Sequence, residues 1–331
     1  MPEPALPLAV VVITWNSAEV IATCLDALAA STPPPAELVI VDNASADGTR
    51  DAIAAFQAAH AAIATRLVAN DANRGFAPAA NQGIAASAQP YVALVNPDLR
   101  VLPTTLPVLA AALEAAPPEL AVVGAKLLRA VGDTLTPTEV IDATGMVMTR
   151  DGRHFDRGAG EADIGQYDRE EDVFGITGAL AVFRRTALEH SKVDGEVFDE
   201  DFFAYREDAD LAWRLRGFGY RARYMPAAVA YHRRTVTPER RRSLSAAVNR
   251  HSVKNRFLLR FHHADRAWLV RFAPRWIVRD LVVVGGCLTI EWSSLGAFPW
   301  LARNHRRHLR RRREILARRT VSSAALRMWF H

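Results

Sequence analysis

The 331-residue chain has only two cysteines, Cys24 and Cys287, far apart in sequence. A framework of several disulfides is excluded, and a reducing compartment is expected. No G-x-G-x-x-G fingerprint and no G-x-x-x-x-G-K-[ST] loop occurs. That argues against dehydrogenase and P-loop nucleotidase chemistry. No internal repeat is visible, and no Ser or Cys triad is found. The N-terminus lacks a basic n-region and a cleavage site. Its apolar run, residues 5–13, leads straight into polar Thr14 and Asn16, and reads as a buried strand rather than a signal peptide.

What is present is ample apolar material: half of the residues are hydrophobic, enough for a sizeable core. The length suits one α/β domain of roughly 200–250 residues with an appendage, or two small domains. The net charge of +5 hides an asymmetry. Residues 233–331 hold 23 Lys and Arg against 5 Asp and Glu, a net +18, which leaves −13 on residues 1–232. An acidic body with a basic tail implies that the tail seeks an anionic partner, nucleic acid or a membrane surface.

Apolar runs at 8–13, 37–41, 66–68, 91–95 and 120–123 read as buried strands. Ala-rich stretches at 18–30, 49–59, 77–86 and 104–115 read as helices between them. The alternation predicts a doubly wound, mainly parallel α/β sheet, whose ligands bind at the carboxyl ends of strands. Residues 126–172 are polar and rich in Gly and Asp, and read as loops with a hairpin. Residues 174–185 are apolar and a helix is expected from about 186, with a last strand at 220–231. A basic amphipathic helix is expected at 243–262, and 268–313 alternates Trp-rich apolar stretches with Arg clusters.

The polar residues after the strands carry the chemistry. Thr14 and Asn16 follow the first strand, and Asp42-Asn43-Ala44-Ser45-Ala46-Asp47-Gly48-Thr49 follows the second. An acid at a strand end before a helix N-terminus can hold a base, ribose and phosphate. The same octapeptide is good turn and N-cap material. Arg74 beside Gly75 can reach a phosphate and Asn81 can point back to a nucleotide, or both belong to an ordinary capped loop. Asn96-Pro97-Asp98 ends the fourth strand: a metal site needs oxygen ligands there, and the tripeptide alone is also a common turn. Glu207, Asp208 and Asp210 place three carboxylates in four positions beside Phe203 and Tyr205. Mutual repulsion raises at least one of their pKa values, which suits a general base, while a solvated helix start is the alternative. His232 ends the last strand and can ligate a metal or contact a diphosphate.

Together and in order, six segments resemble glycosyltransferase family 2 with its GT-A fold: Val11-Val12-Ile13-Thr14-Trp15-Asn16, the 41–49 segment, Asn73-Arg74-Gly75-Phe76, Asn96-Pro97-Asp98, Gly178-Ala179-Leu180 and Glu207-Asp208-Ala209-Asp210-Leu211. The resemblance covers about residues 6–235, which divides the chain into a transferase domain (1–235) and a basic, Trp-rich helical extension (236–331). The Asp-Asn-Ala-Ser and Asn-Pro-Asp forms look like those of bacterial rhamnosyltransferases of cell-wall and polysaccharide assembly.

The resemblance implies an inverting transferase with a nucleotide-diphosphate sugar donor, best dTDP-rhamnose, with other sugars on UDP or GDP as alternatives. The acceptor would be a glycan or glycolipid hydroxyl, on a polyprenyl-diphosphate-linked substrate. It further implies that Thr14, Asn16, Asp42, Asn43, Arg74, Gly75, Asn81, Asn96 and Asp98 hold the donor. Asp98 and His232 would hold a divalent cation, Mg2+ or Mn2+, although Asn96 stands where the family's D-x-D motif has its first Asp. Gly178 and Trp213 would lie on the acceptor side. Asp208 would be the base, with Asp210 as its rival and Glu207 beside them. The tail, with five of the seven Trp residues (268, 276, 292, 300 and 329) among arginines, is expected to bind an anionic membrane surface without crossing it. That puts the protein in the cytoplasm, peripheral on the inner face of the plasma membrane. A helical subdomain with core Trp and solvated Arg is the plainer reading of the tail. Nucleic-acid binding is disfavoured because it leaves the acidic body unexplained, and the sequence leaves an oligomer open.

Overall fold

The computed structural model describes residues 5–234 and 245–331. The central sheet grows from β1 (Leu6–Thr14), which pairs in parallel with β2 (Pro35–Asp42) and with β4 (Tyr91–Val95), while β3 (Ala64–Ala69) continues beyond β2. Beyond β4 lies antiparallel β11 (Leu180–Arg184), then β6 (Leu120–Val131) and β12 (Arg221–His232), parallel to each other. β5 (Leu99–Val101) and β10 (Glu171–Val173) pair antiparallel with β12, and β7 (Thr136–Ala143) with β6. Six of these ten strands therefore share one direction, and the sheet is mainly parallel.

Alternation along β1 shows why the sheet is covered on both faces. Leu8, Val10 and Val12 join one core with α1 (Ile21–Ala29), α2 (Thr49–Ala59) and α4 (Thr105–Glu114). Val11 and Ile13 point the other way, to α3 (Phe76–Ala86), α5 (Arg185–Ser191) and α6 (Glu207–Gly217). The segment expected to be loops is more ordered than its polarity suggests. β6 runs on to Val131, and β8 (Met146–Met148) pairs with β9 (His154–Asp156) as a separate hairpin. Buried Ala125, Leu127 and Ala130 carry the β6 extension, and buried Lys126 is satisfied by Asp163 and Asp168.

The C-terminal region is helical: α7 (Ala246–His263), α8 (Arg266–Thr289), α9 (Ala297–Arg318) and α10 (Ser323–Arg327). Residues 243–244, where the amphipathic helix was expected to begin, lie outside the described residues. This region packs on the body rather than trailing from it. Trp268, Phe272, Trp276 and Phe330 share a core with Met146, Phe174 and Trp213. The reading of five interfacial Trp residues is corrected accordingly: Trp268 and Trp276 are buried, Trp300 and Trp329 are half-buried, and only Trp292 is exposed. Several α9 arginines are also committed to the body, Arg311 to Asp199 and Glu196, and Arg307 to Glu196 and Asp201. The apolar stretch 281–302 is broken after Thr289 and bends by 118° into α9; no single described helix is long and apolar enough to cross a membrane.

Candidate active site

The carboxyl end of β2 is tied to the start of α3 by Asn43 and Gly75, Asp98 after β4 meets His232 at the end of β12, and the start of α6 meets Gly178. At the end of β1, the Thr14 hydroxyl is buried without a hydrogen-bond partner among the described residues. Asn16 adopts a left-handed φ of 51° and its side-chain oxygen accepts from the Ala46 amide at 2.8 Å. Asp42 is fully buried, accepts from the Ser45 amide at 3.2 Å and is capped by Arg50 at 2.5 Å. Asn43 is a brace, donating to the Gly75 carbonyl at 3.0 Å and accepting from Asn70 at 2.9 Å. Gly75 has φ 92°, and a Cβ there would lie 2.5 Å from the Phe203 carbonyl oxygen, so the glycine lets the 203 loop close over the start of α3. Arg74 is exposed.

Asp98 and His232, distant in sequence, meet where β5 and β12 pair. His232 Nε2 lies 3.3 Å from Asp98 Oδ1, and its Nδ1 donates to buried Asp142 at 2.7 Å. Burial disfavours the imidazolium, but Asp98 and Asp142 outweigh it and lift the His232 pKa to about 10. Burial also opposes the Asp142 charge, yet His232, Arg234 and Arg129 hold its carboxyl below the usual range. Asp98 Oδ1 is a buried oxygen whose neighbour here is the His232 ring. An oxygen and an imidazole nitrogen this close, with a carboxylate behind the ring, fit a divalent cation. Asn96 sits beside them as a half-buried residue whose amide donates to Ala179 at 2.9 Å. A second group, Asp199, His262 and His308, also brings ligand atoms within 4.8 Å of one another. There the Arg311 guanidinium already lies 3.0 Å from Asp199 Oδ2, and supplies the positive charge itself.

The three acids of α6 part company. Asp208 is half-buried and accepts from the Gly178 amide at 3.1 Å and the Ala209 amide at 2.8 Å. Burial raises its pKa, against these hydrogen bonds. Glu207 is buried, its Oε2 lacks a hydrogen-bond partner among the described residues, and burial, with Asp208 next, pushes its pKa to about 8. Asp210 is fully buried, bound by Arg214 at 2.7 Å and His263 at 2.8 Å. Burial alone would raise it, but these partners hold it well below the carboxylate range. The expectation of Asp210 as rival base is corrected: a sealed, ion-paired carboxylate cannot meet an acceptor. Trp213 is corrected likewise: it is buried, stacked on His263 at 4.9 Å, and belongs to the core. Asn81 spends its carboxamide on the Phe198 backbone, donating and accepting at 2.9 Å, and turns away from a nucleotide.

Sequence reasoning missed three groups. Asp142, an acid inside the apolar run Val140-Ile141-Asp142-Ala143, is a legible signal in hindsight. Arg234 binds Asp142 at 2.9 Å and also pairs with Asp156, whose pKa burial raises. Asn255, inside a basic helix, had no local signal. Its amide donates to the carbonyls of Phe202, Ala204 and Tyr205 at 2.8, 2.9 and 2.8 Å. It thereby holds the loop before α6, where Phe203, Tyr205 and Arg206 take φ values of 64°, 68° and 74°. Such left-handed conformations in bulky residues persist only when surroundings impose them.

Residues 9–191 match the family model Glycosyl transferase family 2. N-acetylglucosaminyl-diphospho-decaprenol L-rhamnosyltransferase of Mycobacterium tuberculosis is 27% identical over 92% of this chain and 97% of its own. Among solved structures, the mannosyltransferase PcManGT of Pyrobaculum calidifontis, in complex with GDP-Man and Mn2+, aligns over 99% of this chain and 82% of its own, with 22% identity and a TM-score of 0.51. S. aureus TarS 1-349 with UDP-GlcNAc aligns over 88% of this chain and 79% of its own, with 16% identity and a TM-score of 0.54. The sheet order and these likenesses agree: the chain belongs to glycosyltransferase family 2, has the GT-A fold and is a glycosyltransferase.

Proposed function

We propose that this enzyme transfers L-rhamnose from dTDP-L-rhamnose to a hydroxyl of a polyprenyl-diphosphate-linked glycan, with inversion, on the cytoplasmic side of the membrane. The observation that carries the chemistry is Asp208: half-buried, fixed by the Gly178 amide, and raised in pKa by burial. A carboxylate so held can take the acceptor proton as the acceptor oxygen attacks the anomeric carbon. One displacement at that carbon inverts it, and no enzyme nucleophile is required. Thr14 and the loop 42–48 would hold the nucleoside. Asp98 and His232 would hold a divalent cation, with Asp142 fixing the imidazole. That cation would supply charge neutralisation to the departing diphosphate. The donor and acceptor are argued from the name of the mycobacterial relative, which matches along nearly its whole length.

Other donors remain the second reading, since solved neighbours hold GDP-Man and UDP-GlcNAc. The test offers dTDP-L-rhamnose, GDP-mannose and UDP-GlcNAc separately, with a short polyprenyl-diphosphate GlcNAc acceptor. The product is read by mass and its anomeric configuration by NMR. A rhamnose adduct of inverted configuration is expected. Transfer only from GDP-mannose or UDP-GlcNAc, or retention, contradicts the reading.

A further inference from the structure

The face that α8 turns outward is unlike the rest of the surface. Of 17 exposed large hydrophobic side chains among the described residues, nine fall between 269 and 292. Val270, Ile277, Val278, Leu281, Val282 and Leu288 are 53–77% exposed and recur every three to four residues along one side of the helix. The other side is packed on protein through Trp268, Phe272, Trp276 and Cys287. At 24 residues α8 is about 36 Å long, so the outward stripe is a long, continuous apolar band.

Charge is segregated along it. Arg266, Arg271 and Arg275 stand exposed in the first half, and residues 281–290 carry no charge. Arg266 and Arg271 join Arg327 around a shallow depression floored by Ala267 and Val270. The acids nearby do not answer these arginines: Asp265 pairs with Arg319 and Asp280 with Arg260, which leaves Glu291. A second copy docked through this same face would therefore meet the apolar stripe but offer almost nothing to the guanidinium groups. Lipid phosphates beside acyl chains offer both partners at once.

We propose that α8 lies in the plane of an anionic bilayer, its Val270–Leu288 stripe facing the acyl region and Arg266, Arg271, Arg275 and Arg327 at the lipid phosphates. Because its inner side is packed on protein, the helix sinks only to the depth of its outward side chains and does not cross. The surface lies one helix from the catalytic loop: Cys287 of α8 packs with Val253 of α7, and Asn255 of α7 holds the loop carbonyls. The site differs from the sequence expectation, which rested on Trp rings and the Arg306–Arg313 cluster. It does not depend on the donor or on catalysis.

The test is flotation of the full chain with vesicles of phosphatidylcholine alone and of phosphatidylcholine mixed with phosphatidylglycerol, without donor or acceptor. The chain is expected to float with the mixed vesicles, and less so with neutral ones or in high salt. The double variant Ile277→Gln/Leu281→Gln should partition at least about tenfold more weakly. Arg271→Gln/Arg275→Gln should lose the preference for anionic lipid by roughly tenfold. Both substitute exposed side chains, and unchanged thermal melts establish that they fold. Wild type that stays unbound, or flotation that ignores both pairs of substitutions, overturns the proposal. So does a dimer in sedimentation that Ile277→Gln/Leu281→Gln dissolves while no vesicle is bound.

Discussion

At the residue scale, three acids within four positions have three environments. As the proposed base Asp208 must act deprotonated, and burial raises its pKa. Activity should therefore fall as pH falls through a midpoint above the ordinary carboxylate range, and this limb should vanish from the residual activity of Asp208→Asn. A kcat/KM profile flat down to pH about 4 would contradict that. Glu207 has a folded pKa near 8 against an ordinary 4.5. An acid raised on folding holds its proton longer in the native state, so its contribution is full below the unfolded value and is lost as pH rises through the folded one. Glu207→Gln should remove that loss: the variant should gain stability relative to wild type between those two values, by at least about 1 kcal/mol at neutral pH, in denaturant titrations at several pH values. At the proposed metal pair of Asp98 and His232, Asp142→Asn should weaken metal affinity roughly 10- to 100-fold by releasing the His232 ring, and Asp98→Ala should weaken it further. Calorimetry with Mn2+ and a nucleoside diphosphate measures both, and full wild-type activity in excess chelator would remove the metal role. The acid cluster was legible in the sequence because its spacing is local. Which acid is sealed was not, because Arg214 seals Asp210 from its own helix but His263 does so from 53 residues away.

At the element scale, β1, β2, β4 and the four helices of the first 125 residues were legible because burial writes continuous apolar runs, whereas β3, read as buried, is a half-exposed edge strand and the three-residue β5 was not foreseen. β4 (Tyr91–Val95) and α2 (Thr49–Ala59) fall where the pattern puts them. Beyond residue 126 the pattern fails, since β7 is a half-exposed strand paired only with β6 among the described strands, and β9 belongs to a separate three-residue hairpin with β8, both keeping polar residues. The fate of α7 was also hidden. A basic amphipathic helix reads as a surface helix, yet Asn255 points into the body and clasps the loop that presents Asp208. Asn255→Ala should release three carbonyls and let that loop relax. We expect kcat to fall roughly 10- to 100-fold with donor affinity unchanged. Equal loss of donor binding would mean general damage instead of misplacement of the loop.

At the scale of the whole molecule, the charge asymmetry read from the sequence takes a different form in the structure. Part of the basic tail is spent internally, with Arg311 buried against Asp199 and half-buried Arg319 paired with Asp265. Ending the chain after Arg234 would strip α7–α10 from Phe174, Phe202 and Trp213, exposing a buried aromatic core. Such a truncation should be insoluble or inactive, and a soluble, fully active fragment would show that the extension is dispensable. The central claim is that a sugar passes from a nucleotide to an acceptor hydroxyl with Asp208 as the base. The most direct measurement compares wild type and Asp208→Asn for nucleotide-sugar binding by calorimetry and for transfer by product mass. The account predicts donor affinity kept within a few fold and turnover lower by roughly 100- to 10,000-fold. Near-normal turnover in Asp208→Asn would contradict it.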